Sequence, residues 1–137
     1  MIAVRLALVA FALSMLACLE SRSVALGKRL FNADPPLTAR LSGDPLLLPA
    51  AASRCSNCHQ VASQDEADFG PRLTATWLLS DRKRRGGPPC HYDLESFCAL
   101  LRTGIDPAFV IIDRAMPRYE LDDDACRALW NYVRSLS

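Results

Sequence analysis

The feature that most constrains this chain is a run of five residues, Cys55-Ser56-Asn57-Cys58-His59. The two thiols lie three positions apart, so one helical turn brings them to the same side of the backbone. An imidazole follows directly. Thiols and imidazoles bind metals, and thiols also form covalent bonds, so the segment is suited to hold a group other than the chain's own side chains.

Cys-x-x-Cys-His is the attachment pattern for c-type haem, in which the two thiols bond to one edge of the porphyrin and the imidazole binds the iron. Two other uses are open. A dithiol redox pair would need a preceding strand and a βαβ context, which the sequence does not show. Half of a zinc site would need a partner pair, and Cys90-His91, the nearby candidate, lacks the usual spacing. We predict one covalent haem c on Cys55, Cys58 and His59.

The first 25 residues predict an export signal. An early cation, Arg5, precedes an apolar run over 6–19, and polar residues follow it. At 14 residues the run is too short to span a bilayer comfortably. A buried N-terminal helix is the alternative, but such a helix should show a polar face along this run. We therefore predict that 1–25 is a signal peptide.

The position of signal cleavage has two candidates. The small residues Ser23 and Ala25 favour a cut after Ala25, which leaves a domain of residues 26–137. A cut before Cys18 would instead give a lipoprotein. We expect the first outcome, with a periplasmic mature chain that carries no integral membrane segment.

The mature segment predicts a small, mostly helical domain. Helices are expected over 27–31, 93–102 and 122–136, where apolar residues recur at helical spacing, and no alternating run is long enough for a convincing sheet. Asp93 and Gly104 provide the ends of the middle helix. Short helices joined by Pro-rich loops bury little apolar area, which indicates that a bound group fills the interior.

Met116 is the candidate for the second axial ligand. The chain has three methionines, and the other two lie within 1–25. Met116 precedes Pro117, which disfavours a helix and stiffens an extended loop. A weakly donating thioether stabilises ferrous iron and raises the reduction potential. His91 or an open position is the alternative.

These features together resemble the class I c-type cytochromes, the small monohaem electron carriers. The resemblance covers about 27–137 and implies an all-α cytochrome c fold, with three to four helices wrapped around one covalently bound haem. It rests on five features in order: Gly27 and Phe31 in a short helix, the CSNCH motif, Gly70-Pro71-Arg72-Leu73, Met116-Pro117, and a terminal helix with Leu129, Trp130, Tyr132 and Val133.

The resemblance also implies roles for single residues. Pro71 follows His59 by 12 positions, and its carbonyl is expected to accept the imidazole N–H and fix the orientation of the ring. Leu73 is expected to pack on the haem, and Gly27 to lie where the first and last helices cross. The chain departs from the family in two places: 23 residues separate Phe31 from Cys55, and the stretch 81–90 is unusual.

Three further cysteines remain in the predicted mature domain. Cys98 and Cys126 each lie on the apolar face of a predicted helix, so a disulfide between them is favoured. Cys90 would then be unpaired. Pairing of Cys90 with Cys98 or with Cys126 is also open, as are free buried thiols.

Two charge clusters stand out, a basic one over 82–85 and an acidic one at 120 and 122–124. Each is either a solvated surface or part of a molecular dipole that steers docking. An arginine of the basic cluster, or Arg118, is a candidate to pair with a haem propionate. Trp77 and Tyr92 are candidates to donate a hydrogen bond to it.

The sequence therefore predicts an exported, monohaem electron carrier with His59 and Met116 as axial ligands. Its partners would be redox proteins, a dehydrogenase upstream and an oxidase or reductase downstream. A net charge of +1 gives no basic surplus for nucleic acid, and a six-coordinate iron leaves no site for catalysis. Three competing hypotheses are a dedicated haem subunit of a periplasmic dehydrogenase or oxidase complex, an enzyme or gas sensor with an open iron position, and a zinc-stabilised module.

Overall fold

A computed structural model describes residues 2–59 and 70–137. Over this part the protein has four helices and four strands of two residues each. The helices are α1 (Ile2–Phe31), α2 (Ala75–Leu79), α3 (Leu94–Thr103) and α4 (Asp123–Arg134), and a single 3₁₀ turn covers Cys55–Asn57. The strands are β1 (Ala39–Arg40), β2 (Arg82–Lys83), β3 (Pro89–Cys90) and β4 (Arg118–Tyr119).

Helix α1 crosses α4, and the crossing is close because Gly27 has no side chain. A Cβ at Gly27 would overlap the carbonyl oxygen of Ala128 and the Cβ of Tyr132. Beside this point the ring of Phe31 meets that of Tyr132 edge-on, with the ring centroids 5.4 Å apart. Apolar surface from both ends of the sequence is thereby removed from water in one place.

The start of α1 differs from the prediction. The expected helix over 27–31 ends at Phe31 as anticipated, but in the structure it begins at Ile2. The apolar run over 6–19 continues the same helix because nothing in it interrupts the backbone hydrogen bonds. The side chain of Arg5 lies outside the described part of the protein. No helix in the described part of the chain meets the length and hydropathy of a membrane span, and cleavage after Ala25 stays a prediction.

Helices α3 and α4 confirm the predicted elements, with ends that differ by at most two residues. The carboxylate of Asp93 accepts the N–H of Ser96 at 2.8 Å and caps α3. Gly104 ends α3 in the left-handed conformation, with φ at 76°. Asp122 caps α4 in the same way as Asp93 caps α3, accepting the N–H of Ala125 at 2.7 Å.

A disulfide joins Cys98 on α3 to Cys126 on α4, with the Cα atoms 5.9 Å apart. This is the pairing that the apolar helix faces favoured. Both cysteines are buried. The bridge closes the segment of chain that contains Met116, so both ends of that segment are fixed to the helical core.

The four short strands form two antiparallel ladders that no sequence pattern indicated. Strand β1 pairs with β4, and β2 pairs with β3. Ladders of two residues are too short to show alternation of apolar and polar side chains. The first ladder nonetheless anchors the long strap after α1 directly beside the segment that follows Met116 and Pro117.

Candidate functional site

The five-residue motif folds as a tight turn. The backbone N–H groups of Cys58 and His59 both donate to the carbonyl of Cys55, at 3.2 and 2.9 Å. The two cysteines are half-buried and His59 is buried. Burial chiefly raises the pKa of the Cys55 thiol, to about 11. Backbone geometry therefore brings two cysteine side chains and one imidazole together in a short stretch of chain.

Pro71 and Gly70 hold the His59 ring in one orientation. The Nδ1 atom of His59 lies 2.8 Å from the carbonyl oxygen of Pro71 and donates to it, since a carbonyl can only accept. A Cβ at Gly70 would lie 2.8 Å from Cε1 of the ring, so the close approach needs glycine. Burial lowers the pKa of His59 below its ordinary value, which favours the neutral ring. The Nε2 atom is left as the available ligand.

Tyr119 ties the motif to the opposite segment of the chain, a role the sequence reasoning missed. Its hydroxyl donates to the carbonyl of Ser53 at 3.0 Å and accepts from the Cys55 thiol at 3.9 Å. Burial raises its pKa. Tyr119 lies three residues after Met116. Its position so close to Met116 could have marked Tyr119 as a site residue. Its hydrogen-bond partners could not be inferred, because they lie more than 60 positions away in the sequence.

Met116 lies in a turn, half-buried, with its N–H donating to the carbonyl of Asp113 at 3.2 Å. Its side chain packs against the hydrophobic core, as do those of Cys55 and Leu73. The structure thus places the motif, the segment after Pro71 and the Met116 turn around one apolar cluster. Contact of Met116 or Leu73 with a haem stays a prediction.

The side chain of Arg118 holds the Met116 turn in place through hydrogen bonds to backbone carbonyls. One of its terminal nitrogens donates to the carbonyl of Met116, and the other lies 3.4 Å from that of Ile112. A Cβ at Gly104 would overlap this guanidinium, so the helix-ending glycine also makes room for Arg118. Desolvation chiefly lowers the pKa of Arg118. The turn is fixed by side chain to backbone bonds, for which a sequence carries no periodic signal.

The basic cluster over 82–85 is not a uniform solvated surface, which corrects one of the two interpretations. Arg84 is only 6% exposed, whereas Arg82, Lys83 and Arg85 are exposed. The Arg84 guanidinium lies over the rings of Trp77 and Tyr92, 4.7 and 5.0 Å from their centroids. Arg84 turns inward because carbonyl oxygens and aromatic faces there replace water around its charge.

Arg84 is held by backbone carbonyls. One terminal nitrogen donates to the carbonyl of Cys90, and the other donates to that of Trp77 at 2.5 Å. Its Nε is buried with no hydrogen-bond partner. Among residues 2–59 and 70–137 no carboxylate forms an ion pair with it. Within the described part of the chain, the contacts of this buried cation are with backbone carbonyls, two aromatic rings and the Cys90 sulfur.

His91 and Cys90 do not assemble the zinc site that the sequence left open. His91 is exposed and its Nδ1 lies 2.8 Å from the carboxylate of Asp81, which agrees with a surface hydrogen-bonding role. The Cys90 thiol lies beside Arg84, 3.5 Å from a terminal nitrogen. Within the described residues no three His, Cys, Asp or Glu side chains are grouped to hold a metal ion.

Comparison with known families decides which use of the five-residue motif applies. The family model for cytochrome c matches residues 24–137. The chain belongs to the cytochrome c family. Neither the curated proteins nor the solved structures contain a match to it. The match confirms the resemblance that the motifs indicated, and it assigns this cytochrome c to electron transfer by a covalently bound haem.

The residues present fit that cofactor. Cys55 and Cys58 offer two thiols one turn apart, and the backbone contact of His59 leaves Nε2 for a metal. Arg84 offers a buried positive charge that no described carboxylate neutralises. Thioether formation, axial ligation and propionate binding would use these three kinds of group.

Proposed function

We propose that this cytochrome c is an exported monohaem carrier that moves single electrons between redox partner proteins, with His59 and Met116 as axial ligands. The contact between Nδ1 of His59 and the Pro71 carbonyl carries the proposal. It commits the ring to one tautomer and one orientation, as partners of metal-binding histidines do. The residues around it supply the rest of a haem site.

Each residue has a defined part in that site. The haem iron, when bound, supplies one-electron chemistry by changing between its ferrous and ferric states. Cys55 and Cys58 would tether the porphyrin through sulfur, and His59 would bind the iron through Nε2. Met116 would be the second iron ligand, and its thioether would favour the reduced state. With both axial positions filled by the chain, no position is left for a substrate, and the protein is a carrier rather than an enzyme.

Arg84 supports the proposal as the buried cation of the site. A buried guanidinium whose described contacts include carbonyls and aromatic faces but no carboxylate gains from an anionic partner, because the interior screens charge poorly. A haem propionate is such a partner, and Trp77 and Tyr92 border the same guanidinium. We assign Arg84, rather than Arg118, to this role, because Arg84 is buried whereas Arg118 is only half-buried.

A second candidate function has one observation in its favour. Phe109 and Ile111 are 89% and 71% exposed, and exposed apolar side chains of this size often mark interfaces. The protein would then be the dedicated haem subunit of a periplasmic dehydrogenase or oxidase complex. Size-exclusion chromatography of native material separates the two: a free monomer supports the shuttle, and stable co-elution with a dehydrogenase or oxidase supports the subunit.

The decisive test of axial ligation compares visible spectra and reduction potentials of the wild type and Met116→Ala. Leu121→Ala is the matched control, because Leu121 is a half-buried side chain against the same core but has no sulfur. We expect Met116→Ala alone to lose the sulfur-to-iron charge-transfer band and to show a large fall in potential. An unchanged spectrum would refute the methionine ligand.

Two further outcomes test for an open iron position and for zinc. Rapid binding of CO or cyanide by the wild type, at undiminished stability, would mean an open iron position and would favour an enzyme or gas sensor. A colourless, folded protein from a host that attaches haem would overturn the haem assignment itself. Zinc in that colourless protein would restore the zinc-stabilised module.

A further inference from the structure

The loop that connects α3 to the Met116 turn presents apolar side chains to water. Ile105, Phe109 and Ile111 are 41%, 89% and 71% exposed. Ile105 and Ile111 face each other across an antiparallel bridge, so the loop is a small hairpin with Phe109 near its end. We refer to these three residues as the apolar tip. Burying them in a partner would release free energy that folding leaves unused.

The apolar tip is built in a fixed shape. Buried Asp106 accepts the N–H groups of Ala108 and Val110 through one carboxylate oxygen, at 2.9 and 2.8 Å. The backbone N–H of Phe109 donates to the Asp106 carbonyl at 2.9 Å. Phe109 itself is left-handed, with φ at 61°, a conformation that costs free energy for a residue with a large side chain. The surrounding bonds thus hold an aromatic ring out in solvent.

A basic rim lies directly beside the tip. The turn of the β2–β3 hairpin packs on the loop, because a Cβ at Gly87 would lie 3.0 Å from the Val110 side chain and 3.3 Å from that of Ala108. The exposed cations of this hairpin are Arg82, Lys83 and Arg85, and we call them the basic rim. The hairpin that carries the basic rim therefore packs against the loop that carries the apolar tip, and the two sets of exposed side chains belong to adjoining elements.

This surface lies close to the candidate haem site. The loop that carries the tip leads into the Met116 turn within five residues of Ile111. Arg118 ties the end of that loop to the turn, because its two terminal nitrogens reach the carbonyls of Met116 and Ile112. A partner seated on the tip and the rim would approach the iron ligands from this side.

We propose that the apolar tip and the basic rim form the docking surface for a redox partner protein that presents carboxylates around an apolar cavity. This inference rests on the proposed function, since it names the partner of the same site. Charge complementarity identifies the rim of that partner as acidic. Phe109 indicates that the centre of the partner's binding surface is a cavity. A side chain on a backbone already held in one conformation can enter a matching pocket at little entropic cost. A lipid surface requires no such fixed anchor.

The test measures binding of the purified holoprotein to defined surfaces by surface plasmon resonance. The probe is a gold-supported monolayer that mixes carboxylate- and methyl-terminated alkanethiols, and a purely carboxylate-terminated monolayer isolates the charge contribution. Phe109→Asn removes the anchor, and asparagine tolerates the left-handed backbone. Leu46→Asn is the matched control, because Leu46 is also strongly exposed but belongs to the strap after α1.

We expect Phe109→Asn to lose about tenfold in affinity for the mixed monolayer and to bind the carboxylate monolayer as the wild type does. The double variant Arg82→Gln, Lys83→Gln should weaken binding to both monolayers, with a reduced dependence on salt. Arg127→Gln, at an exposed position on α4, is its control. Equal binding by Phe109→Asn and the wild type, or equal losses from Phe109→Asn and Leu46→Asn, would overturn the proposal.

Two other occupants of the surface are tested by two further measurements on the same variant. Tighter binding to phosphatidylglycerol vesicles than to the mixed monolayer, lost in Phe109→Asn, would assign the tip to a membrane and overturn the protein partner. A dimer in analytical ultracentrifugation that Phe109→Asn abolishes would assign it to a second copy, with the same consequence. Because plasmon resonance reports bound mass, failure of the haem assignment appears separately, in the absorption spectrum.

Discussion

Two regions of the molecule are held together by different forces. Where α1 crosses α4, apolar side chains and a glycine allow the backbones to approach closely. Around the β2–β3 hairpin and the Met116 turn, charged side chains turn inward and bond to carbonyls. The first region loses stability when a side chain is too large for its space. The second loses stability when a single donor is removed and its acceptors stay buried.

The largest loss of stability is expected from Gly27→Leu, at the crossing of α1 and α4. A side chain here would overlap the backbone of Ala128, so the helices would have to separate, and we expect a loss of about 3 kcal/mol or more in the free energy of unfolding. Thermal unfolding followed by circular dichroism measures it. Lys28→Leu, at the next and exposed position, should leave the transition within a few degrees of the wild type. Similar stabilities for the two variants would contradict the close crossing.

On the loop side the corresponding change is Arg84→Met, which keeps much of the side-chain volume and removes the donors. The buried carbonyls of Trp77 and Cys90 would lose their partner, and we expect a cost of about 2 kcal/mol in urea unfolding. Arg82→Met, in the same hairpin but exposed, should change stability by less than about 0.5 kcal/mol. Equal effects would mean that Arg84 is as solvated as its neighbours.

A smaller effect is expected where the two regions meet, at Tyr119. Tyr119→Phe removes the hydroxyl that reaches the carbonyl of Ser53 and should cost about 1.5 kcal/mol, because that buried acceptor is left unpaired. Tyr132→Phe is the control, since its hydroxyl forms no hydrogen bond within the described part of the chain. Urea midpoints of the two variants should differ clearly. If the two midpoints coincide, the hydrogen bond from the Tyr119 hydroxyl to Ser53 does not stabilise the contact between the two regions.

The smallest change in the free energy of unfolding is expected at the exposed start of α3. Asp93→Ala removes the helix cap and should cost about 1 kcal/mol at neutral pH, whereas Asp93→Asn should retain most of the cap. Hydrogen bonds from Ser96 hold the pKa of Asp93 below its ordinary value of 3.8. Its stabilisation is therefore complete above 3.8 and is lost as the pH falls through the lower pKa of the folded protein. Acid titrations of unfolding should show this loss for the wild type and not for Asp93→Asn.

Sequence reasoning succeeded where structure is local and failed where it is not. Helices α3 and α4 follow from apolar periodicity and from caps such as Asp93 and Gly104, all within one turn of the residues they affect. The five-residue motif and Pro71 could be recognised because their spacing is fixed. Arg84 was assigned to a charge cluster because no periodic signal marks a cation that bonds only to carbonyls. Tyr119 was missed because its partners lie far away in the chain.

The buried disulfide between Cys98 and Cys126 gives the chain two opposite requirements during its maturation. On the proposed function, Cys55 and Cys58 must remain thiols until the porphyrin arrives, while the other pair must be oxidised. Exchange of a disulfide requires direct access of an attacking thiolate. Once α3 and α4 have packed, the bridge is shielded and the motif cysteines are only half-buried. Early packing of these two helices would let a cellular reductant maintain the motif thiols without opening the bridge.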